Sequence, residues 1–212
     1  IPINNETCQK DEEMEQFITQ YKQETDKKYD RIVTRFTKCL THPFRNQETA
    51  LGNLIADILK DSLGVDLMLF GSGEIRGYTL GPVVHYHDLV ECLPYDEPVY
   101  MLKVTDAQLE RMLRFILREE ALTGEHTEFY QFSHGMRMVW DRKEHKFHEL
   151  ALDGKPIEEK QLYSITVSKY HFMNLQEFLN ISLEEAKDTV ACANGMAAIV
   201  LCMELFESGD HI

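Results

Sequence analysis

The stretch from Glu48 to Gly77 constrains this chain more than any other. Leu51, Leu54, Ile55, Ile58, Leu59 and Leu63 repeat at the spacing of one helix face, and Gly64 stands where such a helix would end. The short apolar run Val65 to Phe70 then reads as a buried strand. It runs directly into Gly71-Ser72-Gly73-Glu74-Ile75-Arg76-Gly77, where three positions lack a Cβ and the backbone can approach a ligand closely. Helix, buried strand and glycine-rich turn in succession predict a covered sheet with a binding loop at its edge.

The rest of the chain supplies further strands and helices in irregular alternation. Met14, Phe17, Ile18 and Tyr21 recur at i, i+3, i+4 and i+7 among Glu, Gln and Lys, the pattern of an amphipathic surface helix. The β-branched run from Ile32 reads as a strand, although Ile32, Val33 and Phe36 also continue a helical spacing. Val99 to Val104 predicts another strand, and Thr105-Asp106-Ala107-Gln108 is a capping box opening a helix with Leu109, Met112, Leu113, Ile116 and Leu117 on one face. Met136 to Trp140, Phe147 to Leu152 and Leu162 to Val167 read as three more strands, with a turn at Asp153-Gly154. A second capping box at Ser182-Leu183-Glu184-Glu185 and a final helix near Met196 to Leu205 complete the reading. The fold class expected is α+β, a mixed sheet packed with helices and preceded by an N-terminal linker helix.

A formal net charge of −14 disfavours binding to nucleic acid or to an anionic membrane, so any phosphate must be met by local positive groups. The longest apolar stretch, near Ala197 to Met203, fits a buried helix and falls short of a membrane span. Five widely spaced cysteines, Cys8, Cys39, Cys92, Cys192 and Cys202, form neither a staple framework nor a metal-finger spacing. They read as free, buried thiols in a reducing compartment. That points to the cytoplasm, with an extracellular or cell-envelope setting as the alternative, because the chain begins at Ile1 without an initiator Met and reads as a piece of a longer protein.

Arg76, at the end of the glycine loop, could join the loop's backbone N–H groups in holding a phosphate or carboxylate. The plain alternative is a turn arginine paired with Glu74. Arg45, in Pro43-Phe44-Arg45, has less local support. His85 and His87 with Asp88 could share a metal, but without a further spaced ligand they read as polar residues opening a helix through Leu89, Val90 and Cys92. His126, His134, His145 and His148 read as scattered loop residues. Tyr95 and Tyr170 could each offer an aromatic face to a planar ligand, or simply pack. No nucleophile elbow, P-loop lysine motif, dinucleotide fingerprint or zinc-protease helix occurs, so no catalytic residue is assigned.

Several of these segments together resemble one family. Arg45-x-x-Glu48-x-x-Leu51-Gly52-Asn53-Leu54-Ile55-Ala56-Asp57 is similar to the R-x-x-E-x-x-L-G-N-L-x-x-D block of the C-terminal domain of 5′-nucleotidases and UDP-sugar hydrolases. Gly73-Glu74-Ile75-Arg76 resembles that family's N-x-G-G-I-R loop, and Asp88-Leu89 with Leu93-Pro94-Tyr95 resembles its D-L and L-P-F. Glu128 to Arg137 looks like its segment entering the next strand, and Gly154-Lys155-Pro156-Ile157 matches its G-K-P-I turn, all in the same order.

The resemblance implies a substrate-recognising domain of a metal-dependent phosphohydrolase. Residues 1–41 would be the interdomain linker helix and lead-in strand, and 42–212 the substrate-binding domain. Arg45 and Arg76, with Gly73 between them in the loop, would engage phosphate, while Tyr95 and Tyr170 would sandwich the base. The partner would be an N-terminal metallophosphoesterase domain holding two divalent metal ions, whose ligand motifs this chain lacks, so the chain alone is expected to be inactive and to bind no cofactor itself. The family's N-F-L-A-x-G-G-D-G-[FY] loop stands here as Lys169 to Phe178, with Gln176 replacing the Asp and no glycine. Gly71 and Glu74 likewise stand where that family has Asn and Gly. Two readings follow: a nucleotide-recognition domain with altered specificity, or a degenerate structural or regulatory module of the same fold. An unrelated enzyme built on the histidines ranks third.

Overall fold

The computed structural model describes residues 10–124, 128–174, 179 and 189–191. The chain enters through α1 (Glu12–Tyr29), whose first turn is held by the Asp11 side chain accepting from the amides of Glu13 and Met14. Its apolar stripe is unburied: Met14, Phe17, Ile18 and Tyr21 are each more than half exposed. Two short strands follow, β1 (Ile32–Arg35) and β2 (Leu40–Thr41), and then α2 (Ala50–Leu63). The predicted stripe of α2 is its buried face, Thr49 caps its start by accepting from the Gly52 amide, and Gly64 closes it at φ 64°.

β3 (Leu67–Gly71) ends in a 3-10 turn at Ser72–Glu74 and is followed by β4 (Thr79–Leu80), β5 (Val83–His85) and α3 (Tyr86–Cys92). β1 pairs with β5 and β2 with β4, stitching the lead-in segment to the region after the glycine loop. Next come β6 (Val99–Thr105), α4 (Asp106–Ile116) and α5 (Glu119–Thr123). The capping box read at Thr105 forms: its amide donates to Gln108 Oε1 at 2.8 Å, and its hydroxyl accepts from the Gln108 amide at 3.3 Å. β7 (Tyr130–Phe132), β8 (Met136–Asp141), β9 (Lys146–Leu152), β10 (Lys155–Pro156), β11 (Leu162–Ser168), α6 (Lys169–Met173) and β12 (Thr189–Ala191) complete the described elements. The turn at Asp153-Gly154 serves a two-residue strand pairing back on β9 before the chain reaches β11.

The central sheet is mixed, in the order β12-β6-β11-β3-β7. β11 lies parallel to β3 and antiparallel to β6, while β7 runs antiparallel to β3. Every residue of β3 is buried, so the period-two alternation of a strand feeds two cores. Leu67 and Leu69 enter one with Leu109, Met112, Leu113 and Ile116 of α4. Met68 and Phe70 enter the other with Leu51, Ile55, Ile58 and Leu59 of α2. Each such fully buried side chain stabilises the fold by roughly 1.5–3 kcal/mol. The expected α+β architecture, a mixed sheet with packed helices behind an N-terminal helix, is what the chain adopts. No helix among the described residues is long and apolar enough to cross a membrane.

Of the expected free, buried thiols, Cys92 is buried and free, whereas Cys39 is free but exposed, its Sγ 3.0 Å from the Gly81 carbonyl. Cys8, Cys192, Cys202, His126, the 182–185 capping box, the final helix and Gln176 lie outside the described residues.

Candidate functional site

Because β3 and β11 are parallel and β7 is antiparallel to β3, the end of β3, the end of β11 and the start of β7 meet at one edge of the sheet. A cleft of about 340 Å³ opens there, lined by Arg45, Gly73, Glu74, Arg76, Tyr95, Glu97, Glu128, Tyr170 and His171. That is within the range of small-molecule sites. All five residues singled out from the sequence, Arg45, Gly73, Arg76, Tyr95 and Tyr170, are among them. They arrive from four places: the loop before α2, the glycine turn after β3, the loop after α3, and α6.

Arg76 and Tyr95 touch each other. The guanidinium lies over the Tyr95 ring, 5.5 Å from its centroid, and Nη1 donates to the Gly73 carbonyl at 3.3 Å. Arg76 is therefore not the expected turn partner of Glu74. Glu74 instead turns inward, with Oε1 3.2 Å from His171 Nε2 and accepting from the Gly71 amide at 3.3 Å. Tyr95 and Tyr170 are about half exposed, so both present ring surface to solvent.

The loop's backbone N–H groups do not stand open for an anion. Gly71's is turned to Glu74, Ser72's donates to the Phe129 carbonyl at 2.9 Å, and Gly73's donates to Glu128 Oε1 at 2.6 Å. Gly73 is needed for this approach: a Cβ there would lie 3.0 Å from both carboxylate oxygens of Glu128. The sequence reading gave these amides to a ligand because three glycines in a turn carry no sign of which acceptor will reach them.

Beneath the cleft lies a polar network that local pattern did not disclose. His171, 1% exposed, has Nδ1 2.7 Å from the Tyr130 hydroxyl, and its ring sits beside Tyr130. Burial holds the Tyr130 hydroxyl well above its ordinary pKa, so it stays protonated, and nearby Glu128 and Glu74 push the same way. The Glu128 carboxyl is likewise raised, chiefly by burial, against the lowering pull of the Gly73 amide, His171 and Arg45. His42, almost fully buried, bridges Thr49 Oγ1 at 2.7 Å and the Ser72 carbonyl at 3.0 Å. Burial lowers its pKa, which keeps it neutral and fit for a structural clasp. Gln131 joins the same clasp, donating to Ser72 Oγ at 2.6 Å and to the Gln47 carbonyl at 2.9 Å. The available signal was polar Gln131 standing among Phe129, Tyr130 and Phe132.

Two groups elsewhere could hold a metal ion by proximity. His85, His87 and Asp88 each bring one ligand atom within 4.8 Å of the others, as do Asp141, Glu144 and His148. His85 caps α3 and Asp88 accepts from its amide at 2.7 Å, so the helix-opening role read from the sequence is present. His148 sits in β9 rather than in a loop. None of these residues lines the cleft.

Comparison with known proteins agrees with this architecture. Residues 30–181 match the family described as 5′-nucleotidase, C-terminal domain. Among solved structures, the 5′-nucleotidase precursor from Thermus thermophilus is 17% identical with a TM-score of 0.72, the match covering 96% of this chain and 42% of that one. A 5′-nucleotidase of Staphylococcus aureus in complex with alpha-ketoglutarate is 16% identical, TM-score 0.67, over 96% of this chain and 43% of that one. The Thermus thermophilus sulfate thiohydrolase SoxB, in complex with glycerol, is 14% identical, TM-score 0.64, over 96% of this chain and 38% of that one. At these identities the likeness is one of fold, and the chain spans about two-fifths of the solved relatives. No curated protein matches the chain.

Proposed function

This chain belongs to the 5′-nucleotidase C-terminal domain family, and from that membership we propose that it is the ligand-recognising portion of a larger phosphohydrolase, binding a nucleotide or a related phosphorylated small molecule. The observation that carries the reading is the convergence of Arg45, Arg76, Tyr95 and Tyr170 on one cleft from four separated segments. Two guanidiniums can grip a phosphate by charge-assisted hydrogen bonds, and two exposed phenol rings can stack a base. With the loop amides engaged by Glu74 and Glu128, the grip on phosphate falls to the arginine side chains. Arg76 already stacked on Tyr95 places the phosphate grip beside the base platform.

This chain's role would be to bind and orient the ligand. Attack of water on phosphorus would fall to a preceding domain with two divalent metal ions, which would activate the water and stabilise the developing charge. The α-ketoglutarate complex of the Staphylococcus aureus protein is in keeping with a fold that receives small anions. The same fold also serves a sulfate thiohydrolase, so fold alone does not decide which oxyanion is taken. One observation favours the second reading, a degenerate regulatory module: protein carboxylates already stand at the loop amides.

Calorimetric titration of a nucleotide and nucleoside panel into this chain separates the two. The recognition reading expects saturable binding in which Arg76→Ala weakens nucleotides but spares nucleosides, and Tyr95→Ala weakens both. A folded chain that binds nothing across the panel would overturn it.

A further inference from the structure

The segment before β7 carries Glu128 to the cleft, because β7 pairs antiparallel with β3 and sets Tyr130 opposite Gly71. There Glu128 holds the Gly73 amide through Oε1 at 2.6 Å and lines the same space as Arg45 and Arg76. Glu74 stands beside it: a Cβ built on Gly71 would meet Glu74 Oε1 at 2.8 Å and Glu128 Oε1 at 3.0 Å. An oxyanion drawn in by the two guanidiniums therefore meets carboxylate oxygens on the floor.

Two acceptor oxygens brought together repel unless one of them carries a proton. A phosphate monoester retains a P–OH below a second pKa of about 6 and a fraction of it at neutral pH. A sulfate monoester is fully ionised and offers acceptors only. Building on the ligand-binding reading above, we propose that Glu128 is a specificity-determining residue: by accepting a hydrogen bond from a protonated oxyanion, it makes the cleft take phosphate monoesters and reject sulfate monoesters of the same shape and charge. No bond breaks; the proton stays on the ester oxygen and is shared with Glu128. The groups facing this carboxylate are the Gly73 amide, His171 and Arg45, which favour its charge, and Glu74, which opposes it. Their balance, with the dominant effect of burial, makes Glu128 a proton-seeking acceptor.

The test is calorimetry of the full chain with methyl phosphate and methyl sulfate near pH 6, where both are largely monoanions. The wild type is expected to prefer methyl phosphate by roughly 10- to 100-fold, the scale of leaving a buried acceptor facing a group that cannot donate. Glu128→Gln keeps an oxygen for the Gly73 amide and adds an N–H for a sulfate oxygen, so it should bring the two ligands within about 3-fold. Wild-type protein binding both equally, or binding neither, overturns the proposal, as does a preference that survives in Glu128→Gln. The wild-type comparison decides even if the variant fails to fold. Adenosine titrated into wild type and Tyr95→Ala keeps the two ideas apart. If adenosine binds through Tyr95 while the anion preference is absent, the recognition reading stands and the selectivity falls; if neither appears, both fall.

Discussion

The carboxamide of Gln131 fills the space into which a side chain on Gly52 would project: a Cβ there would lie 2.2 Å from Gln131 Oε1. That oxygen accepts from the Thr49 amide at 2.9 Å, at the start of α2, while Nε2 reaches Ser72 and Gln47. One buried side chain thus joins the helix that follows Arg45 to the turn that carries Arg76. Gly52→Ala is expected to displace Gln131 and cost roughly 1–3 kcal/mol, as overpacking does. In urea unfolding the midpoint should fall with little change in slope.

Tyr130→Phe removes the hydroxyl that lies 2.7 Å from buried His171 Nδ1. Loss of a buried hydrogen bond of this kind costs about 1–3 kcal/mol. Thermal unfolding of the variant should show that loss, while methyl phosphate binding through Arg45 and Arg76 should persist.

Stability should also carry the mark of Glu128. Its carboxyl is raised in the folded chain, first by burial, so the native state holds that proton more tightly than the unfolded state. Stability therefore declines as pH climbs from the ordinary carboxylate range through the raised folded value, and then levels off. Glu128→Gln lacks this titration, so its stability relative to wild type should grow over that window. Urea midpoints of both proteins between about pH 4 and 8 check the sign.

Thiol chemistry separates the two described cysteines. Burial pushes the Cys92 thiol up to about 11 and leaves it 2% exposed, whereas Cys39 is exposed. Iodoacetamide near neutral pH should label Cys39 in the native chain and reach Cys92 only after denaturant is added, as read by peptide mass mapping.

These expectations differ in how far they could be read from the chain itself. α2, β3 and the Thr105 capping box were legible because each is announced within a dozen residues, by a stripe, an apolar run or a cap with its reciprocal partner. The site residues Arg45, Arg76, Tyr95 and Tyr170 came from resemblance, and only the fold shows that they share a cleft. Glu128, Glu74 and His171 were missed together. What makes them a unit is the pairing of β3 with β7 and with β11, and local periodicity says nothing of which distant strand will be a neighbour. The exposed side of α1 shows the converse: its stripe was plain in the sequence, yet nothing in the described chain covers it.

β11 is the middle strand of the central sheet, and Tyr170 and His171 follow it directly. Opening the chain in the exposed turn at Glu158 to Lys160 would divide the cleft between separate fragments. The N-terminal fragment would hold Arg45, Arg76, Tyr95 and Glu128, but with β6 and β3 robbed of the strand between them. The C-terminal fragment would hold Tyr170 and His171 with no sheet to join. Ligand binding would return only when the fragments met, which makes that turn a natural seam for a split reporter.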